Sequence, residues 1–210
     1  MAFIKTPVKG MSDQLPNDMR LREYVISVIK ETYRDFGFAQ IETPLVEHIE
    51  NLQSKQGGEN EKLIFKILKR GDKLNLASAN SEADLVDSGL RYDLTLPLAR
   101  YYANNAEQLF TPFKALQIGN VFRADRPQKG RFRQFTQCDI DILGDDTMLA
   151  ETELISATST LLLKLGFEGF RVRVNDRRIL KAMAQSCNMP DDRLGAVYIS
   201  LDKLDKIGAD

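Results

Sequence analysis

Residues 122–144 read FRADRPQKGRFRQFTQCDIDILG. Arg123, Arg126, Lys129, Arg131 and Arg133 crowd a turn marked by Pro127 and Gly130, and the run that follows carries a carboxylate at alternate positions, Asp139 and Asp141. Turn residues between two apolar-rich runs predict a long antiparallel pair, 113–123 with 132–143. Aspartate is depleted from strands, so carboxylates in mid-strand need something to bind. Guanidinium groups held by a sheet can grip phosphate oxygens in pairs. An anion site and a cation site in one short segment predict an enzyme that handles a nucleotide together with an amine-bearing substrate.

Upstream, Leu21, Val25, Val28, Ile29 and Phe36 recur at helical spacing and Gly37 supplies a stop, predicting a helix over 17–36 after a loop at 10–16. Residues 38–43 alternate as a short strand that Pro44 ends. The polar, Gly-bearing stretch 53–61 reads as a mobile loop, closing over substrate or lying plainly on the surface. Further strands are predicted at 64–68 and 74–77, across a KRGD turn, and at 90–95, where Thr95 caps a helix beginning near Pro97. Downstream, the stripe Ala150, Leu154, Ala157, Leu161 and Leu165 predicts a helix over 146–165 that Gly166 stops. A strand at 170–174, a helix at 177–187 and a weaker helical piece over 188–210 complete the pattern. The fold class is α+β, a mainly antiparallel sheet with helices packed on one face.

Side chains alternate across a strand, so parity assigns faces. Leu90, Tyr92 and Leu94 face one way and Arg91, Asp93 and Thr95 the other. Leu116, Ile118 and Phe122 oppose Gln117 and Arg123; Cys138, Ile140 and Ile142 oppose Gln137, Asp139 and Asp141. The apolar faces, Cys138 included, are expected in the core. The polar faces combine into one surface carrying Asp93, Thr95, Arg123, Gln137 and Asp141. A wet sheet face is ordinary for any one of these residues. Grouped carboxylates are not, because they repel unless a cation joins them. Arg123 and Arg131, inside one strand and at the start of the other, would be held rigidly. Phe135 shares the parity of Arg131 and Gln137, and an aromatic ring beside arginines suits base stacking.

Composition narrows the classes. The 210 residues carry a net charge of −1, which gives no global basic excess for nucleic acid. Two cysteines without a CxxC spacing argue against a zinc site or a disulfide framework, and the single histidine, His48, leaves no His-based metal cluster and no obvious Ser-His-Asp triad. The start of the chain lacks an apolar signal core and no run reaches membrane-spanning length, so a soluble, cytoplasmic protein is expected.

The chain resembles the histidyl-tRNA synthetases, which are class II aminoacyl-tRNA synthetases. Residues 10–47 resemble the family's opening GM-x-D-x-LP and its motif 1, LRYDLTLPLARYYA at 90–103 resembles its histidine-binding strand, and 122–144 resembles its motif 2. The similarity covers 1–187 and implies a partial class II catalytic core. Residues 188–210 would open the insertion between motifs 2 and 3, with motif 3 and the anticodon-binding domain absent. The resemblance implies that Asp93, Thr95 and Gln137 hold the α-ammonium of histidine and that Asp141 reads the imidazole N–H. Arg123, the catalytic residue, would bridge the histidine carboxylate and the α-phosphate of ATP. Asp125 would face the adenine side, Arg131 the outer phosphates, and Phe135 would stack on adenine. ATP, with Mg²⁺ on its phosphates, would give histidyl-adenylate, and tRNA(His) would then accept the histidyl group. A homodimer through motif 1 is implied, and little activity is expected of this chain alone. Lys9-Gly10 departs from the family's usual Arg-Gly, and Asp125 stands where many bacterial members carry glutamate. A second reading is the synthetase-like regulatory subunit of ATP phosphoribosyltransferase, which senses histidine without charging tRNA; such a subunit would be free to lose Arg123, Asp125, Arg131 and Phe135. Synthetases for proline or threonine fit less well, because of the RYDLT strand and Asp141.

Overall fold

The computed structural model describes residues 3–53, 59–198 and 200. Its elements are helix α1 (Pro16–Asp35), strands β1 (Ala39–Ile41) and β2 (Val46–His48), the single turn α2 (Ile49–Leu52), strands β3 (Phe65–Leu68) and β4 (Val86–Leu90), helix α3 (Thr95–Asn105), strands β5 (Phe113–Phe122) and β6 (Gln134–Leu143), and helices α4 (Met148–Lys164) and α5 (Arg177–Ser186). The chain divides into two compact units, Met1–Glu168 and Gly169–Asp210.

In the first unit one sheet runs β1-β5-β6 and a second runs β2-β4-β3. β5 and β6 pair antiparallel without a bulge from Phe113↔Leu143 to Phe122↔Gln134, while β1 lies parallel to β5. Helix α1 starts with Pro16, whose ring presets φ and whose missing N–H falls where a helix has no acceptor for it. It stops before Gly37, at φ 83°, a left-handed turn that a Cβ would strain. Tyr33 and Phe38 then meet Leu116 of β5 and Ala157 and Leu161 of α4 in a core that also takes in Ile118, Ile140 and Ile142. The even-numbered positions of β5 and β6 therefore face α1 and α4, as their parity predicts.

Helices do not keep to one face. At the far end of the opposite face, Phe113, Ala115 and Leu143 pack under α3 through Leu98, Tyr101 and Tyr102. Only the remainder of that face, from Gln117 onwards, is left for polar residues. The second sheet folds over Ile49, Leu52, Ile64, Val86 and Tyr92.

Several expected elements differ. Residues 74–77 form no strand: Asn75 Oδ1 accepts from the N–H groups of Ala77 and Ser78 and turns the chain, and β3 pairs with β4 instead. The strand expected over 90–95 ends where it was to begin, at Leu90. Arg91 to Leu94 form a bend, because the Arg91 N–H donates to Leu45 O rather than continuing a ladder. Thr95 is the first helical residue rather than the cap, and Asp93 Oδ1 takes that role, accepting from Thr95 N at 3.0 Å and Leu96 N at 3.3 Å. Cys138 is exposed rather than buried. Helix α1 packs through Val28, Ile29 and Tyr33, and its earlier turns leave a groove of about 430 Å³ lined by Leu21, Val25, Ile118 and Cys138.

In the second unit, residues 170–174 form no strand, since no neighbouring strand among the described residues supplies a ladder. Helix α5 is capped by Asp176, which accepts from Arg178 N, and it ends with Asn188 at φ 57°. The expected loop at 53–61 falls largely outside the described residues; Glu59–Leu63 form a 3₁₀ turn. Residues 201–210 of the expected final helical piece also lie outside them. Among the described residues no helix is long and apolar enough to cross a membrane.

Candidate active site

Odd-numbered side chains of β6 line one face in the order Phe135, Gln137, Asp139 and Asp141, opposite Val121, Gly119, Gln117 and Ala115 of β5. Arg123 follows β5 directly and stays in the ladder, its N–H donating to Arg133 O at 2.8 Å. Its guanidinium donates from Nε to Tyr92 O at 2.9 Å and from Nη2 to Gln137 Oε1 at 3.4 Å. Gln137 Nε2 in turn donates to Asp139 Oδ2 at 2.8 Å. Arg123, Gln137 and Asp139 thus form one hydrogen-bonded row, anchored on the carbonyl next to Asp93. Phe135 lies under the Arg123 guanidinium, 5.0 Å from its ring centre.

The two ends of this row differ in charge. At the cationic end, Arg123, Asp125, Arg131 and Phe135 line a cavity of about 270 Å³ with Gly130 and Phe132. Arg131 does not start the return strand, which begins at Gln134. It sits in the turn, held by reciprocal main-chain bonds with Gln128, and reaches to 3.6 Å from Asp125. Its side chain is 63% exposed, so this pair adds little to stability and leaves the guanidinium accessible. Gly10, in the opening stretch, braces the turn: its carbonyl accepts from Arg133 N at 2.7 Å. With φ at 86°, and Arg133 and Pro127 each 2.8 Å from where a Cβ would sit, only glycine fits there.

At the other end the carboxylates gather. Burial raises the pKa of Asp139, the Gln137 hydrogen bond lowers it, Asp93 raises it and Arg123 lowers it. Burial raises that of Asp141 too, with Asp139 and Asp93 adding to the shift. Asp141 Oδ2 is buried with no hydrogen-bond partner among the described residues. A buried, unpaired carboxylate oxygen is a standing demand for a donor. Asp93, through its cap on α3, faces the same cluster, and Thr95 opens α3 with an exposed side chain. A larger cleft of about 500 Å³ beside α2 and β3 has Glu50, Glu61 and Glu82 in its wall with Lys66 on Glu82; it lacks the arginines and the aromatic ring of this site.

Beneath the row lies a polar layer that residue-by-residue reading missed. Gln117, 2% exposed, donates from Nε2 to Leu94 O at 3.1 Å and so holds the bend that carries Asp93. Asp139 was legible as a mid-strand acid, yet its place in the site follows from the uninterrupted register with Gln117.

The mainly antiparallel sheet flanked by helices is the class II synthetase fold, the fold of the solved synthetases it superposes on. The crystal structure of histidyl-tRNA synthetase from Nostoc sp. PCC 7120 superposes with a TM-score of 0.80 at 29% identity, over 99% of this chain and 43% of that one. Residues 10–209 match the family described as histidyl-tRNA synthetase, and the chain belongs to that family. It is 49% identical to a histidine–tRNA ligase of Leifsonia xyli subsp. xyli over 100% of the chain and 50% of the relative, and 44% identical to one of Porphyromonas gingivalis over 96% and 46%. The chain therefore spans about half the length of the curated relatives it matches.

Proposed function

We propose that this chain forms the histidine- and ATP-binding half-site of a histidine–tRNA ligase. The observation that carries the reading is the row from the arginine-lined cavity through Gln137 to the unpaired Asp141 oxygen. In this reading Asp93, Thr95 and Gln137 take the substrate ammonium and Asp141 accepts the imidazole N–H. Arg123 lies between the substrate carboxylate and the α-phosphate, Phe135 stacks on adenine, Asp125 meets its edge and Arg131 grips the outer phosphates.

The carboxylate oxygen of histidine attacks the α-phosphorus in line, pyrophosphate leaves, and a terminal ribose hydroxyl of tRNA(His) then attacks the adenylate carbonyl. No protein nucleophile is required. Arg123 is already fixed by Tyr92 O and Gln137, so it meets the charge growing on the phosphoryl oxygens without reorganising. Mg²⁺ would accompany the ATP phosphates in this reading. Exposed Leu21 and Tyr24 on α1, beside the groove at Val25, support a homodimer through motif 1. A cytoplasmic location goes with this reading.

A regulatory subunit that senses histidine without charging tRNA would share the fold. An ATP phosphoribosyltransferase regulatory subunit/histidyl-tRNA synthetase from Bacillus halodurans C has that fold at 24% identity, with a TM-score of 0.63. The intact set Arg123, Asp125, Arg131 and Phe135 around one cavity favours the ligase.

Calorimetric titration of ATP and of histidine, separately, into this chain tests the half-site; heat from neither ligand would sink it. In the full-length protein Arg123→Ala is expected to cut histidine-dependent ATP–pyrophosphate exchange by about 100- to 1,000-fold while the fold survives. Near-normal exchange would remove Arg123 from its role.

A further inference from the structure

Arg91 is 3% exposed, and the hydrogen bonds of its guanidinium go to neutral oxygens, while Glu42 and Glu47 lie near enough to favour its charge without bonding it. Nη1 donates to Thr43 O at 2.7 Å, to Thr43 Oγ1 at 2.9 Å and to Pro44 O at 3.4 Å, and Nε donates to Asn120 O at 2.9 Å. Its main chain is engaged as well: the N–H donates to Leu45 O, and the carbonyl accepts from Phe122 N, each at 2.9 Å. One residue thus joins the segment after β1, the end of β5 and the bend before α3. A buried guanidinium is costly to desolvate, and an apolar side chain of similar size would fill such a space at less cost. What an apolar side chain could not do is fix three backbones at hydrogen-bond distance.

The residue that follows is Tyr92, whose carbonyl accepts from Arg123 Nε. Gly119 lies against the other side of the guanidinium, and a Cβ added there would run into Arg91 Nη2. A free arginine tip could swing aside, but this one is buried and pinned by its bonds to Thr43 and Asn120. Gly119 also stands directly opposite Gln137 in the hairpin.

We propose that Arg91 is a positioning residue that sets the Tyr92 carbonyl beneath Arg123, with Gly119 kept bare to give it room. The inference rests on the reading of Arg123 as the anion-facing group, but its test does not need ligand to bind. In the chain itself the Nε–H of Arg123 gives a nitrogen-15 NMR signal, identified by its disappearance in Arg123→Lys. Held against Tyr92 O, that proton exchanges slowly with water. Arg91→Lys keeps the charge and loses the fork, Gly119→Ala keeps Arg91 and displaces it, and Thr43→Val removes the hydroxyl that accepts from Arg91 and donates to Gln117 Oε1 at 3.5 Å, leaving the other Arg91 bonds in place. The first two are expected to speed exchange at Arg123 by at least about tenfold, and Thr43→Val by less, while the amide signals of α1 and α4 stay dispersed. Unchanged exchange in Arg91→Lys and Gly119→Ala, with the fold intact, overturns the proposal. Global unfolding of all three variants, Thr43→Val included, also overturns it, making Arg91 a fold residue and no more. Failure of ATP and histidine to bind the parent chain would defeat the half-site reading and leave this exchange result standing.

Discussion

Asp141 presents a buried oxygen, Oδ2, with no donor near it among the described residues, and its pKa is raised by burial and by Asp139 and Asp93. A carboxyl group whose folded pKa lies above its unfolded value is easier to ionise in the unfolded chain. Its stabilising contribution is whole below the ordinary value of 3.8 and is lost as pH rises through the raised value. Asp141→Asn should therefore be more stable than the parent at pH 7, and the two should converge as pH falls below about 4. Thermal unfolding of both proteins across that range checks the sign; a variant less stable at pH 7 would mean that Asp141 is already satisfied. The same change should abolish histidine binding, so stability and recognition move in opposite directions at one residue.

Secondary-structure elements carry a second conflict of roles, at the start of α3. Asp93 caps that helix through Oδ1 and is also assigned to the substrate ammonium. Asp93→Asn keeps an oxygen for the cap and loses the charge, whereas Asp93→Ala loses both. The asparagine variant should keep its stability within about 0.5 kcal/mol and lose histidine affinity, while alanine should cost about 1 kcal/mol more. Chemical denaturation beside calorimetric titration separates the two functions; equal destabilisation by both variants would argue against the cap. The bend at Arg91–Leu94 was not legible from alternation, because buried Tyr92 and Leu94 mimic a strand's inward positions. What broke the strand was a set of long-range partners: Leu45 O for the Arg91 N–H, and Gln117 for Leu94 O.

At the scale of the molecule, one core holds the hairpin that carries the site. Leu116, 2% exposed, shares one core with Tyr33, Phe38 and, from α4, Ala157 and Leu161. Leu116→Ala should cost about 2–5 kcal/mol, because α1, α4 and both strands of the hairpin converge there and cannot all close on the void. Urea unfolding measures it; a cost under about 1 kcal/mol would mean that the helices and the hairpin are not jointly fixed by this core. Because Gln117 and Arg123 sit on the same two strands, weakening this core should also loosen the site.

The hairpin and the long helices α1 and α4 were legible in the chain, since they rest on local periodicity, turn residues and glycine stops that need no distant partner, whereas the hairpin's register and the start of its return strand at Gln134 came from the fold. So was the list of polar side chains along odd positions of β6, because alternation is a property of the strand alone. The α3 packing on the second face, the bend that aims Asp93, the exposed Cys138 and the buried layer of Arg91 and Gln117 were settled only by the fold. Each depends on hydrogen bonds or contacts between residues far apart in sequence, such as Arg91 with Thr43 and Asn120, and a backbone that can satisfy its polar groups in several ways takes the one its distant neighbours complete.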